Sequence, residues 1–336
     1  MAHRARWHTA SERYGVPGID GGEYAQQIDK VYLPTAVREH VETYDRIIGD
    51  REPFLWKWFH NLSDEFALSS IAPDAMDAAR EQKTLLTILV TTLDDLAEKD
   101  GATATFQRAR RELFEAIETD DRDRTDADSD VLAFVEELWT AIDSRLRNAP
   151  RYDEFADVFE YDLRQTVNAM DYSRVLNDNA TMANRTEAER FDAYNMAMFP
   201  YADVDLMHSP TFQIRELGAL RSLLCELQQM ARIGNWLTTW ERELAEGDFS
   251  SGITVCALRR GVIQPAELQN AGEETVERLV QRIRSHGIES EFVRDWQIRN
   301  KAVRKSTGKL RSVDAGAIID GLEAVMNHHL ASDGYK

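Results

Sequence analysis

Helical periodicity is the feature that most constrains this chain. Its apolar residues recur at spacings of three and four along nearly the whole length, which is the pattern of an amphipathic helix. No segment shows the strict alternation of apolar and polar residues, bounded by turn residues, that indicates a half-buried strand. Pro73 opens and Gly101 closes one long helical segment, the usual order of these residues at helix ends. The sequence therefore predicts an all-α protein.

Turn residues and charged stretches separate the remaining predicted helices. No repeat of fixed period and no Pro- or Gly-rich linker divides the chain, so one domain over 1–336 is the simplest interpretation, with an irregular N-terminal segment over 1–30. The acidic stretch 118–130 is expected to be a solvated loop. Roughly ten to twelve helices of ordinary length fit the chain. Beside the helix from Pro73, they cover approximately 104–118, 129–147, 153–176, 186–199 with an end at Pro200, 210–247, 264–286, 288–304 and 312–331.

Composition and charge exclude several classes of protein. The chain has 59 acidic and 40 basic residues and a net charge of −19, which repels nucleic acid and anionic lipid. Its two cysteines cannot supply a disulfide framework. The longest apolar run, 84–93, is far shorter than a membrane span, which needs ~20 residues, and the N-terminus lacks the apolar stretch of a signal peptide. We therefore expect a cytoplasmic protein with no membrane span and no nucleic-acid partner.

The first candidate site is a cluster of carboxylates, Asp94, Asp95 and Glu98, near the end of the helix from Pro73. On a helix, Asp94 and Glu98 lie one turn apart on the same face, and Asp95 lies about 100° away. A hard divalent cation relieves the repulsion between such carboxylates, and Mg²⁺ binds them together with water and substrate phosphate oxygens. The cluster therefore predicts a magnesium-dependent diphosphate site. A solvated acidic helix end is the alternative, because short acidic motifs are frequent by chance.

The second candidate site is a stripe of three oxygen-bearing residues, Asn235, Thr239 and Glu243. Successive steps of four residues keep them on one helix face, about 6 Å apart. Their amide, hydroxyl and carboxylate oxygens can converge on one Mg²⁺. This combination is rarer by chance than the acidic cluster, although Asn and Thr also occur on ordinary polar helix faces.

Both motifs resemble those of class I terpene synthases. The stretch IGNWLTTWERELAEGD resembles their Asn-x-x-x-(Ser/Thr)-x-x-x-Glu metal motif, including the basic Arg242 directly before Glu243 and the Gly-Asp that follows. The stretch LDDLAE resembles their aspartate-rich motif. Asp94 precedes Asn235 by 141 residues, which is similar to the separation in microbial members. Two motifs in the right order and spacing support the resemblance more strongly than either one alone.

The resemblance implies an all-α terpene synthase fold in which helices surround a deep apolar cavity, with the two motifs facing each other across its mouth. Three Mg²⁺ ions are expected. Asp94 would bind two of them, and Asn235, Thr239 and Glu243 would hold the third. Asp95 and Glu98, within the same metal motif, would assist mainly by supporting the ligands and the closure of the lid.

The resemblance also implies basic side chains that bind the diphosphate. Arg190 lies near the expected place of the family's diphosphate-sensing arginine, with Arg185 as a second candidate, although an exposed helix arginine would look the same. Arg242 adjoins the metal motif. The Arg-Tyr pair that many bacterial members carry near the C-terminus is missing; in the basic stretch KAVRKSTGKLR we expect Arg304 and Lys305 to close over the diphosphate as a lid. Simple complementarity with an acidic surface is the alternative.

Helix geometry places candidate cavity residues one and two turns below each metal motif. These residues are Thr87, Val90 and Thr91 below Asp94, and Gln228 and Ala231 below Asn235. Tyr172 is a candidate aromatic residue facing a carbocation, although an aromatic residue in a helical protein more often belongs to the core.

The expected activity is therefore Mg²⁺-dependent ionisation and cyclisation of an acyclic prenyl diphosphate to a terpene hydrocarbon or alcohol, with release of diphosphate. Farnesyl and geranylgeranyl diphosphate are the favoured substrates by analogy, and a homodimer is compatible with the family. A chain-elongating prenyl diphosphate synthase is one alternative, but it should carry a second aspartate-rich motif where Asn235 and Thr239 stand. A non-catalytic helical scaffold or binding protein is the alternative from another class.

Overall fold

The computed structural model describes residues 21–49, 51–99, 101–114, 127–268, 271–305, 308 and 310–331. Throughout these ranges the regular structure consists of α-helices and short 3₁₀ segments, without a strand, so the all-α prediction is confirmed there. No helix in the same ranges is long and apolar enough to cross a membrane. The helices are α1 Gly21–Ile28, α2 Thr35–Ile47, α3 Phe54–Leu62, α4 Met76–Glu98, α5 Thr103–Phe114, α6 Ser129–Leu146, α7 Tyr152–Asp178, α8 Arg185–Arg190, α9 Met198–Met207, α10 Leu217–Glu246, α11 Gly252–Arg259, α12 Pro265–Leu268, α13 Glu273–Ser285, α14 Ile288–Val303 and α15 Ala315–Ala331.

The two helices that carry the candidate motifs begin and end at the expected signals. A 3₁₀ turn, Pro73–Ala75, leads into α4, and Asp74 in this turn complements the positive end of the helix dipole. The chain becomes extended at Lys99. Helix α10 ends at Gly247, whose φ of 88° lies in the left-handed region that favours glycine. Local capping therefore sets the length of both helices.

The segment around Pro200 differs from the prediction. The helix expected over 186–199 is instead the short α8, a 3₁₀ segment Asp192–Met196, and the start of α9. Pro200 lies in the first turn of α9, where its missing N–H has no partner to lose. Ala197, which lies between the 3₁₀ segment and α9, has a φ of 50°, and this is uncommon for a residue other than glycine. Pro200 therefore helps to start a helix and does not end one.

Two further predictions on element bounds need correction, and two stretches of the chain lie wholly or mostly outside the described residues. The helix expected over 264–286 is divided into α12 and α13, and α1 occupies part of the N-terminal segment expected to be irregular. The acidic stretch 118–130 lies mostly outside the described residues, as do residues 1–20.

Helix α9 lies at the centre of the described structure, because all ten of its residues are buried. It packs against α4, α7 and α10. Helix α14 runs antiparallel to α10: Trp240 donates a hydrogen bond to Glu289, Trp236 contacts the ring of Phe292, and Arg299 donates to Glu226 further along. This packing brings the two motif-bearing helices to the same interior and fixes the direction of the C-terminal helices beside them.

Candidate metal and diphosphate site

The acidic cluster on α4 is already engaged by polar neighbours. Asn195 donates a hydrogen bond from Nδ2 to Oδ1 of the half-buried Asp94 over 2.9 Å. Tyr44 and Arg51 donate to the two carboxylate oxygens of Asp95. Both oxygens of Asp95 are thus bonded within the protein, which favours a supporting role over direct binding of a cation. One nitrogen of Arg51 also lies 3.7 Å from a carboxylate oxygen of Glu98.

The polar stripe on α10 has a different environment. Arg232 donates from Nη1 to Oδ1 of Asn235 over 2.6 Å, and the Thr239 hydroxyl donates to the backbone oxygen of Asn235 over 2.8 Å. Glu243 is buried, and its Oε2 has no hydrogen-bond partner among the residues that the structure describes. Burial raises the pKa of Glu243 to about 7, and the nearby charge of Asp248 adds to this rise.

The charges of the two motifs interact across the interior. Burial raises the pKa of Glu98 well above its ordinary value, and the negative charges of Asp94, Asp248 and Glu243 add to the rise. The positive charge of Arg232 on α10 acts on Asp94 as well as on Glu243. The acidic cluster of α4 and the polar stripe of α10 therefore influence each other's ionisation, although 141 residues separate Asp94 from Asn235.

The 3₁₀ segment Asp192–Met196 connects the two motifs. At one end, the buried carboxylate of Asp192 accepts two hydrogen bonds from Arg232, at 2.7 and 2.9 Å, and further bonds from Trp236 and Ser173. At the other end, Asn195 holds Asp94. A five-residue segment therefore holds Asp94 directly and Asn235 indirectly, through Arg232.

The donor set at this site fits a hard divalent cation. Its candidate ligands are oxygens from an amide, a hydroxyl and carboxylates, which Mg²⁺ prefers. The buried and unpaired Oε2 of Glu243 is costly in the absence of a partner, and a cation would satisfy it. In the described ranges, no group of three or more His, Cys, Asp or Glu residues is arranged to hold a metal. A site here would therefore combine carboxylates with Asn235 and Thr239.

Two cations at this site, Arg51 and Arg232, are absent from the sequence-based assignment. Arg232 lies three residues before Asn235, so its position one turn away on the same helix could have indicated it. Arg51 lies in the connection before α3, 44 residues before Asp95, and no local pattern relates it to the acidic cluster. Only the packing of the helices identifies Arg51.

The arginines that the family resemblance predicts to bind the diphosphate are either exposed or paired with acidic residues. Arg190 is exposed at the last residue of α8. The second candidate, Arg185, pairs with Asp295 on α14. Arg242 pairs with Glu246 one turn further along α10, while its charge still lowers the pKa of the adjacent Glu243. Arg242 is thus the one of these three whose charge reaches the metal stripe.

The expectation that Arg304 and Lys305 close over the diphosphate needs correction. Arg299 bonds Glu226, which precedes Thr239 by 13 residues, or ~20 Å of helix. Because α14 runs antiparallel to α10, Arg304 lies still further from the metal stripe. It pairs with Asp320 and Glu323 on α15, and Lys305 follows it on the surface. The basic end of α14 therefore neutralises the acidic α15 at the far end of the bundle.

Replacing Arg304 and Lys305 together by Gln is expected to leave catalytic turnover within about twofold of the wild-type value, because both residues lie at the far end of α10. Steady-state kinetics of the double variant checks this. A loss of turnover at an unchanged thermal midpoint would restore the lid assignment.

The predicted cavity residues on α4 are less completely buried than the residues between them. Thr87 and Val90 are each 7% exposed, whereas Ile88 and Leu89 between them are fully buried. Thr91, one turn closer to the acidic cluster, is half-buried. These residues lie on the helix face of Asp94, and their exposure increases toward it.

The other predicted cavity residues divide between two clusters of buried side chains. On α10, Gln228 and Ala231 are buried, and Oε1 of Gln228 has no hydrogen-bond partner among the described residues. Val90 and Ala231 belong to the larger cluster. Tyr172 packs against the smaller cluster, with its ring edge-on to the exposed ring of Phe191. Tyr172 therefore packs against a different cluster from the one that contains Val90.

Comparisons with known proteins give little at the level of sequence. No family model matches the chain, and no curated protein matches it. Among solved structures, the chain is similar to the crystal structure of a linalool/nerolidol synthase from Streptomyces clavuligerus in complex with 2-fluorogeranyl diphosphate. The two share 13% sequence identity over 95% of this chain and 96% of the other, with a TM-score of 0.48. At this similarity, the chemistry of the site has to be inferred from the residues of the chain itself.

Proposed function

We propose that this protein is a class I terpene synthase that ionises and cyclises an acyclic prenyl diphosphate to a terpene hydrocarbon or alcohol, releasing diphosphate. The observation that carries the proposal is the hydrogen-bonded connection through the segment Asp192–Met196: Asn195 bonds Asp94 on α4, and Asp192 bonds Arg232, which in turn bonds Asn235 on α10. It supports a shared metal site built from two motifs that are distant in the sequence.

Asp94 would hold magnesium from the α4 side, and Asn235, Thr239 and Glu243 would hold it from the α10 side. Bound Mg²⁺ would supply positive charge to stabilise the departing diphosphate. The charges of Arg51 and Arg232 both act on Asp94, and these two arginines would bind the anionic end of the substrate. Asp95 would keep Arg51 in place, because it accepts hydrogen bonds from both Arg51 and Tyr44.

The interior below the metal motifs would shield a carbocation from water. Val90 and Ala231 face this region from the two helices one turn below Asp94 and Asn235, and both belong to the larger apolar cluster. Apolar walls exclude the water that would quench a reactive cation. Aromatic ring faces would stabilise its positive charge.

The competing functions predict different residues or different behaviour. A chain-elongating synthase needs further carboxylates where this chain has Asn235 and Thr239. A scaffold protein would not require Oε2 of Glu243 to be buried without a partner, since such a group costs stability. Both observations favour the terpene synthase.

The proposal is tested by incubating the full chain with geranyl, farnesyl or geranylgeranyl diphosphate and Mg²⁺, followed by gas chromatography and mass spectrometry of the extract. A hydrocarbon or alcohol that disappears when the metal is chelated supports the proposal. Longer prenyl diphosphates as the products would indicate chain elongation, and the absence of any product from folded protein would favour the scaffold.

Replacing Thr239 by Val is expected to raise the Mg²⁺ concentration for half-maximal turnover by roughly tenfold, because one oxygen of the metal stripe is lost. A magnesium titration of initial rates provides the measurement. Thr238 is a matched control: its hydroxyl also donates to backbone oxygens of α10, so Thr238→Val removes the same kind of intrahelical bond. Equal effects of the two substitutions would contradict the metal role of Thr239.

A further inference from the structure

We propose that Asn195 is a positioning residue for the metal site: its side-chain amide holds one oxygen of Asp94 and leaves the other oxygen for a divalent cation. This inference rests on the proposed function. Asn195 donates from Nδ2 to Oδ1 of Asp94 over 2.9 Å. Among the described residues, this is the only hydrogen bond to the Asp94 carboxylate. A carboxylate has two oxygens that accept bonds, so Oδ2 of Asp94 keeps its capacity to bind a metal.

The neutral charge of the donor distinguishes Asp94 from the adjacent carboxylate. Asp95 accepts hydrogen bonds from the cationic Arg51 and from Tyr44, so both of its oxygens are occupied and its bonded partner carries a positive charge. The amide of Asn195 is uncharged. It can orient the Asp94 carboxylate without placing a directly bonded cation where a metal ion would be repelled. Asp95 is therefore suited to holding Arg51, and Asp94 is suited to holding the metal.

The segment that carries Asn195 is fixed on both sides. Three residues earlier, the buried carboxylate of Asp192 accepts hydrogen bonds from buried side chains of α7 and α10. Two residues later, the buried Ala197 has left-handed backbone geometry, and its N–H donates to the backbone oxygen of Tyr194. A side chain that is supported by its own surroundings restrains a metal ligand more precisely than one on a mobile loop. Asn195 therefore restrains Asp94 from a rigid base.

The test begins with Asn195→Leu, which removes the donor and keeps a side chain of similar size. Hydrogen-bonded partners of metal ligands commonly contribute about 10–100-fold to metal affinity, because they orient the ligand. We expect the substitution to weaken Mg²⁺ binding by roughly tenfold or more, measured by calorimetric titration of the full chain with Mg²⁺ in the presence of inorganic diphosphate. The kcat at saturating Mg²⁺ should change much less than the Mg²⁺ requirement, since the ligands themselves are unchanged.

A double-mutant cycle separates the positioning of Asp94 from a general structural role. If Asn195 acts through Asp94, Asn195→Leu should add little to the loss of Mg²⁺ affinity that Asp94→Asn causes. If Asn195→Leu does not fold, Asn195→Ala removes the same donor and takes its place. Fully additive losses in the double variant, or a folded single variant with the Mg²⁺ affinity of the wild-type protein, would overturn the inference.

Gln107→Leu is the matched control, because the amide of Gln107 also donates over 2.9 Å to an aspartate, Asp171, between α5 and α7. Neither residue belongs to a metal motif, so this substitution should leave Mg²⁺ binding unchanged, and equal weakening by both substitutions would contradict a specific role for Asn195. If Mg²⁺ binds but no prenyl diphosphate is converted, the proposed function fails, while the titration still supports or overturns the role of Asn195. Absence of Mg²⁺ binding by the wild-type protein would overturn both.

Discussion

Replacing Asp94 by Asn is expected to lower kcat/KM by roughly 10²–10³-fold, the loss typical when one group that stabilises charge in the transition state is removed. The side chain keeps its shape and can still bond to Asn195, so the helix should remain folded. What is lost is the negative charge that would hold Mg²⁺ from the α4 side. Initial rates with the preferred diphosphate, measured over a range of Mg²⁺ concentrations, give the result.

Asp74→Asn is the control for this substitution. Asp74 lies in the exposed 3₁₀ turn that leads into the same helix, so the charge is removed far from the site and only the helix dipole is affected, by less than about 1 kcal/mol. Turnover by this control should equal that of the wild-type enzyme. If Asp94→Asn retained a tenth or more of the wild-type activity, its assignment as a metal ligand would be wrong.

Replacing Arg232 by Met is expected to destabilise the protein by about 3–5 kcal/mol, because removal of one partner leaves a buried charge uncompensated. Asp192 is fully buried and receives two hydrogen bonds from Arg232, and the remaining bonds from Trp236 and Ser173 do not neutralise its charge. The free energy of unfolding is measured by urea denaturation followed by circular dichroism.

Two further variants separate this effect from the loss of an ordinary arginine. Arg242→Met on the same helix removes the surface ion pair with Glu246, which should cost at most about 1 kcal/mol. Adding Asp192→Asn to Arg232→Met should recover part of the lost stability, since the unpaired charge is then removed. Equal destabilisation by the Arg232 and Arg242 substitutions would show that the buried pair contributes no more than a surface pair.

The elements that the sequence predicts well are those whose ends are set by local chemistry. Helix α4 follows Pro73 and ends before Gly101, and α10 ends at Gly247, because capping depends on neighbouring residues. The prediction at Pro200 is wrong for a related reason. A proline is compatible with both the end and the first turn of a helix, and the sequence alone does not distinguish these positions.

The candidate site also has a part that the sequence predicts and a part that it does not. That Asn235, Thr239 and Glu243 share a helix face follows from their spacing, whereas the pairing of Arg51 with Asp95 has no local signal. The basic stretch near the C-terminus illustrates the limit of inference from charge. Arg304 has the charge that a diphosphate needs, but the direction of α14 places it beside Asp320 and Glu323.

The amino-acid sequence by itself determined the helical class and which oxygen-bearing side chains lie together on each helix, because both depend on a repeat of 3.6 residues. Only the tertiary structure decided which cations meet those oxygens, that Asp192–Met196 connects the two motifs, and that the amide of Asn195 bonds Asp94. These contacts depend on the angle and register at which separate helices pack. Many residues far apart in the chain set that geometry jointly, and no local pattern records it.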